Sequence, residues 1–333
     1  MNGDDRLGIV FGSLTPPEEL ATGAELAERL GFGELWFSED CFFTGGVSGL
    51  TQMLASTGGI TAGLGLASVI TRHPAVLAME LAGLARLYPG RTRATIGLGN
   101  VGWLKQMGLV PDRPLTAVLE TFDVLRALLD GRTVSEPTSA HHFDGIELAF
   151  PPEEPPELWI GAVNRRALRA AGAKADGVLL SVLAGPEYVA WARDVIAEGA
   201  AEAGRPLPRI TAFALSAADA DASAARDAVR QAVGFFLQAE AHTDLVGRSP
   251  HAEAVRKALD GDPFDVPDAW IDEFAVAGTP EQVAARLGDL NEAGADSVGL
   301  WLFPAERYVA VLQTIADEVL PRLGRQASPK SRP

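Results

Sequence analysis

Residues 158–174, LWIGAVNRRALRAAGAK, decide how the rest of the chain is read. The stretch opens with an apolar run, Leu158–Val163. A short run without polar alternation predicts a strand buried on both faces, as in a parallel sheet. Asn164 stands where a helix begins, and the alanine- and arginine-rich residues behind it have helical composition. The chain carries a formal charge of -16, yet these 17 residues hold four basic groups and no acid. A strand ending at a basic helix N-terminus suits an anion. The first-turn N–H groups lack partners there, and the helix dipole favours negative charge. Gly161 and Ala162 are small enough to let a ligand approach the backbone. Gly161, Ala162, Val163 and Asn164 are therefore candidate phosphate-binding residues, with Arg165 beside them. The competing reading is an ordinary strand–helix joint with exposed arginines.

The same strand–turn–helix unit recurs outward in both directions. Strands are predicted at Leu7–Phe11, Glu34–Ser38, Leu66–Thr71, Arg93–Leu98, Leu158–Val163, Gly177–Ser181, Ile210–Leu215 and Ser297–Leu302. Helices lie between them. Thr15-Pro16-Pro17-Glu18 reads as a capping box ahead of a face formed by Leu20, Ala24, Ala27 and Leu30, stopped by Gly31. His73-Pro74 opens a second helix, Pro114–Leu129 forms a third, and Thr279-Pro280-Glu281-Gln282 repeats the cap signature. Eight such units in 333 residues favour a closed (β/α)8 TIM barrel over an open doubly wound sheet. The expectation is one barrel domain over residues 1–325 with a loose tail at 326–333. Two excursions, 141–156 and 242–272, exceed the minimal repeat and have the length of lids or dimer elements.

Composition removes several function classes. The acidic balance, with no basic stripe, speaks against a nucleic-acid partner and against an anionic membrane surface. No apolar run reaches membrane-spanning length. Cys41 is the only cysteine, so no intrachain disulfide can form. With no leader-like N-terminal segment, the expected location is the cytoplasm.

In such barrels the chemistry sits at the C-terminal ends of the strands. Here those ends are small and polar, with no metal-ligand cluster and no histidine placed to activate Cys41. His73 reads as a helix cap, and His141-His142 as a loop pair without partners. A rim poor in acid–base groups suits an enzyme whose cofactor carries the chemistry. Ser38, Ser68, Val69, Gly99, Asn100 and Ser181 are the rim's cofactor-binding candidates, alongside residues 161–165. Glu39 and Asp40 are its carboxylates. Neighbours at a strand end point to opposite sides, so one of the two faces the cleft, to move a proton or orient a substrate. The alternative is a strand-end acid capping the next turn.

Taken together, SED after the second strand, SVITRHPAVLAMELAGLARLYPGR, ATIGLG, IGAVNRRALRAAGAKADGVLLS and GTPEQVAARLGDLNEAGADSV resemble the bacterial-luciferase-like monooxygenase superfamily. Within it the chain looks most like the deazaflavin branch that uses coenzyme F420, which includes methylenetetrahydromethanopterin reductases. The resemblance implies an eight-stranded α/β barrel and hydride transfer between F420 and a small organic substrate. It also implies a non-proline cis peptide at Ser68-Val69 backing the deazaflavin ring, the cofactor phosphate at Gly161–Asn164, and a homodimer. The branch's sugar-phosphate dehydrogenases carry Asp-His where this chain has Glu39-Asp40, and a glutamate where it has Asn100-Val101. That departure speaks against glucose-6-phosphate as substrate. An FMN-dependent monooxygenase is the second reading, and a non-catalytic flavin- or F420-binding protein the third.

Overall fold

The structure, a computed structural model, describes residues 4–259 and 265–326. Nine parallel strands form one sheet: β1 (Asp4–Phe11), β2 (Phe32–Phe37), β3 (Thr61–Ser68), β4 (Thr92–Gly97), β5 (Glu157–Gly161), β6 (Gly177–Leu180), β7 (Arg209–Ala218), β8 (Val276–Gly278) and β9 (Ser297–Leu302). Strands β1 to β7 pair in sequence, β7 pairs β9, and β9 pairs β1, so eight strands close the predicted barrel. The three-residue β8 pairs only with β7, outside the ring, and is too short to register as an apolar run.

Helices cover the outside: α1 (Leu20–Leu30), α2 (Gly46–Ser56), α3 (Pro74–Leu87), α4 (Val101–Gln106), α5 (Pro114–Leu129), α6 (Arg165–Lys174) and α7 (Pro186–Glu202) over the first half. The second half adds α8 (Ala222–Glu240), the short α9 (Asp244–Gly247), α10 (Ala252–Ala258) and α11 (Asp268–Phe274), and α12 (Pro280–Ala293). Last come α13 (Tyr308–Thr314), a π turn at Ile315–Val319, and α14 (Leu320–Gln326). Among the described residues, no helix is long and apolar enough to cross a membrane. Residues 260–264 of the second excursion, and all of the expected tail beyond residue 326, lie outside the described residues.

Three local expectations are corrected. The box expected at Thr15 and Glu18 is absent. The chain makes a 3-10 turn over Pro17–Glu19 with no side-chain cap, and Thr15 Oγ1 instead accepts from Gly12 N at 3.4 Å. Two successive prolines tighten this entry. Thr279 is followed by a single proline, and there the reciprocal box with Gln282 does form. The third strand begins at Thr61, not Leu66, and ends at Ser68. Its first residues, TAGLG, are glycine-rich because large side chains lie opposite. A Cβ on Gly63 would come within 2.4 Å of the Trp36 ring. Finally, the non-proline cis peptide lies at Gly65-Leu66, not Ser68-Val69. It sits where the β3–β4 register shifts, between Leu64 and Ala67.

The barrel interior is filled in layers, as alternating strand geometry requires. At the N-terminal end Glu34, 1% exposed, receives Arg93 at 2.5 Å, Arg209 at 3.2 Å and the Ser297 hydroxyl at 2.6 Å. In the middle Trp36 packs against Trp159 and Phe213, with ring centroids 5.4 and 5.7 Å apart. Glycines face these rings: a Cβ on Gly177 would meet Trp159 at 2.1 Å, and one on Gly299 would meet Phe213 at 2.8 Å. The layer above opens at the C-terminal mouth.

Candidate active site

Glu34 and Trp36 point into the barrel, and β2 ends at Phe37, so it is hydrogen bonds that place the two carboxylates beyond it. The Asp40 carboxylate takes a hydrogen bond from Ser13 Oγ, on the loop after β1. Burial, opposed by the Ser13 bond and reinforced by the nearby Glu39 charge, raises its pKa. Glu39 points the other way. It binds Arg72 with both oxygens, at 2.7 Å for Oε2, and accepts from Gly46 N at 2.8 Å. Glu39 thereby ties the β2 loop to α2 and to the loop before α3. Of the two candidate acids, Asp40 is tied to the loop after β1 and Glu39 to α2 and Arg72.

The β3, β4 and β5 ends form the next part of the mouth. Leu66 lies across two glycines. A Cβ on Gly161 would meet Leu66 Cδ2 at 2.5 Å, and one on Gly97 would meet it at 2.8 Å. The Leu66 side chain fills the space these glycines leave and packs on the backbones of β4 and β5. Ser68 Oγ donates to Leu98 O at 2.7 Å, and Val69 N to Gly97 O at 2.9 Å. Val69 is buried and packs in the hydrophobic core. Gly99, at φ 81°, turns the chain beside Ser68, within 3.1 Å of the Ser68 Cβ if it carried its own. Asn100 caps α4: its Oδ1 accepts from Gly102 N at 2.8 Å and Trp103 N at 3.3 Å. Ser38 N donates to Phe11 O at 2.7 Å, and half-buried Ser181 follows β6.

The β5–α6 turn is as drawn from the sequence, with one addition. Ala162 N donates to Leu179 O at 3.2 Å, and the buried Tyr188 hydroxyl donates to Val163 O at 2.8 Å. Burial lifts the Tyr188 phenol well above its ordinary pKa, so it remains a donor. The anion at the start of α6 comes from the chain itself. Arg165 N donates to Asp244 Oδ2 at 3.0 Å, and Asp244 N donates to Asn164 Oδ1 at 2.9 Å. No local signal pairs residues so far apart in sequence. The Arg165 side chain turns away to Glu198 at 2.7 Å, along a surface groove of about 670 Å³ between α6 and α7. That groove lies on the helix layer.

His73 and His141 are also brought together. His73 caps α3 as expected, its Nδ1 accepting from Ala75 N at 3.2 Å. The partnerless reading of His141 is corrected: its ring stands edge-on to His73 with centroids 4.7 Å apart.

The protein is a parallel (β/α)8 barrel, and its strand C-terminal ends, where barrels of this class place their sites, carry Leu66 on two glycines, the half-buried Asp40 and the N-terminus of α6. The chain belongs to the luciferase-like monooxygenase family, whose model matches residues 6–297. It is 29% identical to 5,10-methylenetetrahydromethanopterin reductase of Archaeoglobus fulgidus, over 96% of this chain and 99% of that protein. It is also 29% identical to the Methanolobus tindarius protein of that name, over 87% of this chain and 92% of the other. The structure of the coenzyme F420-dependent tetrahydromethanopterin reductase of Methanopyrus kandleri superimposes with a TM-score of 0.81, at 23% identity, covering 96% of this chain and 99% of that one.

Proposed function

We propose that the protein is an F420-dependent oxidoreductase that moves a hydride between the deazaflavin and a small organic substrate. The observation that carries this is the Leu66 side chain seated on the backbones of Gly97 and Gly161, beside a helix N-terminus already organised for an anion. Similarity to relatives named as F420-linked reductases over nearly the full chain supports the choice of cofactor. When bound, F420 supplies the hydride-carrying centre. The chain's own residues hold and orient. Leu66, Ser68 and Gly99 form the wall for the ring; Gly161, Ala162, Val163 and Asn164 receive the phosphate, where Asp244 must yield; Ser38, Asn100 and Ser181 complete the rim. Asp40, whose pKa burial raises, exchanges a proton with the substrate or fixes its orientation. Ser13 positions Asp40. The barrel domain at residues 1–325, a homodimer and a cytoplasmic setting belong to the same reading.

Titration with oxidised F420 and, separately, with FMN tests it. Preferential F420 binding, followed by bleaching of its visible absorbance with a donor substrate, is the expected result. Preference for FMN and a requirement for oxygen in turnover move the chain to the monooxygenase reading. Tight F420 binding without reduction by any donor leaves a non-catalytic carrier.

A further inference from the structure

The cap of α3 is a group that titrates. Pro74, the first residue of the helix, has no N–H. Val76 N and Leu77 N both donate to His73 O, at 3.0 and 3.1 Å. That leaves Ala75 N, which donates to His73 Nδ1 at 3.2 Å. The first turn therefore rests on a neutral imidazole with its proton on Nε2. Ser, Thr, Asp and Asn, the common caps, keep their acceptor throughout the range in which histidine titrates. Histidine does not. Once Nδ1 takes a proton, two N–H groups face each other, and a positive charge stands at the positive end of the helix dipole.

The surroundings do not absorb that charge. The His73 ring lies against His141, with centroids 4.7 Å apart, and against buried Phe143 at 5.2 Å. His141 is itself a base, and its N donates to Thr138 Oγ1 at 2.9 Å. On the same loop His142 and Asp144 are exposed, and Glu120 of α5 is bound by Ser139. Next to His73 in the chain, Arg72 is a cation. It binds Glu39 and approaches Glu80 at 3.8 Å, with Cys41 near it, so these two carboxylates are already engaged. The loop from Ser68 to His73 is unequally tethered. At its start Thr71 Oγ1 donates to Ser68 O at 3.1 Å and Ser68 Oγ to Leu98 O at 2.7 Å, bonds between groups that do not titrate here. Its end depends on the His73 cap.

We infer that His73 is a proton switch: neutral, it caps α3 and fastens the loop after β3; protonated, it uncaps the helix and releases the end of that loop which carries Arg72. Arg72 is the partner of Glu39, so the signal reaches the carboxylates beyond β2. The switch does not depend on which cofactor the barrel takes.

The test follows exchange of the Ala75 amide in the full chain by NMR, together with the His73 ring resonances, between about pH 7.5 and about pH 5.5, which spans the ordinary imidazole value. Corrected for intrinsic exchange, protection of Ala75 in the wild type should fall about fivefold toward acid, the factor equivalent to a typical N-cap, with the midpoint of the His73 ring. His73→Asn retains an acceptor that does not titrate, and its protection should stay level. His141→Glu places a carboxylate beside the ring and should move the midpoint up by about one pH unit or more. Level protection in the wild type, an equal fall in His73→Asn, a midpoint different from that of the His73 ring, or one unmoved in His141→Glu overturns the assignment.

Discussion

Two adjacent acids just beyond one strand end have opposite fates, and their hydrogen-bond partners are the reason. Glu39 is held by Arg72 and Gly46, whereas Asp40 has a single hydroxyl donor and a raised pKa. Replacing Asp40 by Asn should lower turnover about 100-fold or more, the usual range for a lost acid–base group, with F420 affinity retained. Unchanged turnover would remove Asp40 from the mechanism. The same variant should melt higher at pH 7. An acid whose folded pKa is raised favours the folded state below its unfolded pKa near 4, and that benefit is lost as pH rises through the folded value. A neutral side chain has nothing to lose there. At the other side of the mouth, Asp244→Asn removes a negative charge from the α6 N-terminus while keeping an acceptor. F420 affinity should rise about two- to fivefold, equivalent to roughly 0.3–1 kcal/mol for a charge at a helix end. An unchanged dissociation constant by fluorescence titration would place the phosphate elsewhere. The small residues of this turn were legible in the sequence. Asp244 was not, because contacts of that range depend on where an excursion folds back.

At the scale of elements, caps and seams separate what local chemistry dictates from what tertiary structure decides. His73 before Pro74 was readable as a cap, and Thr279 formed its box. Thr15, with the same leading residues, did not, since a second proline changed the geometry of the first turn. The start of β3 was hidden for a different reason. Gly63 and Gly65 lower its apparent hydrophobicity, and only the aromatic rings opposite explain them. The His73–His141 contact joins α3 to the loop before β5. Burial, together with the neighbouring His73, holds His141 below its ordinary pKa. Protonation therefore favours the unfolded chain. Stability should fall as pH drops through about 6.5, the unfolded value, and continue falling toward the folded one. Thermal melts between pH 7.5 and 5.5 should show a smaller drop for His141→Phe than for wild type. Parallel curves would mean that the pair does not titrate in this window.

At the scale of the whole molecule, eight apolar runs in 333 residues predicted closure, because that many strand–helix units at this length favour a barrel over an open doubly wound sheet. What they did not specify is the content of the barrel. Glu34 opens its strand as an ordinary polar residue, yet it gathers Arg93, Arg209 and Ser297 from β4, β7 and β9. Glu34→Ala leaves two arginines facing a vacated site and should cost about 3–5 kcal/mol, read as a lowered urea midpoint with an unchanged slope. A loss below about 1 kcal/mol would mean that water replaces the carboxylate. Above this network sits the layer of Trp36, Trp159 and Phe213, with glycines folded tightly against their rings. That layer stoppers the barrel as the base stoppers a vessel. Under the proposed function, cofactor and substrate both approach above these rings, and whichever lies deeper enters first and leaves last.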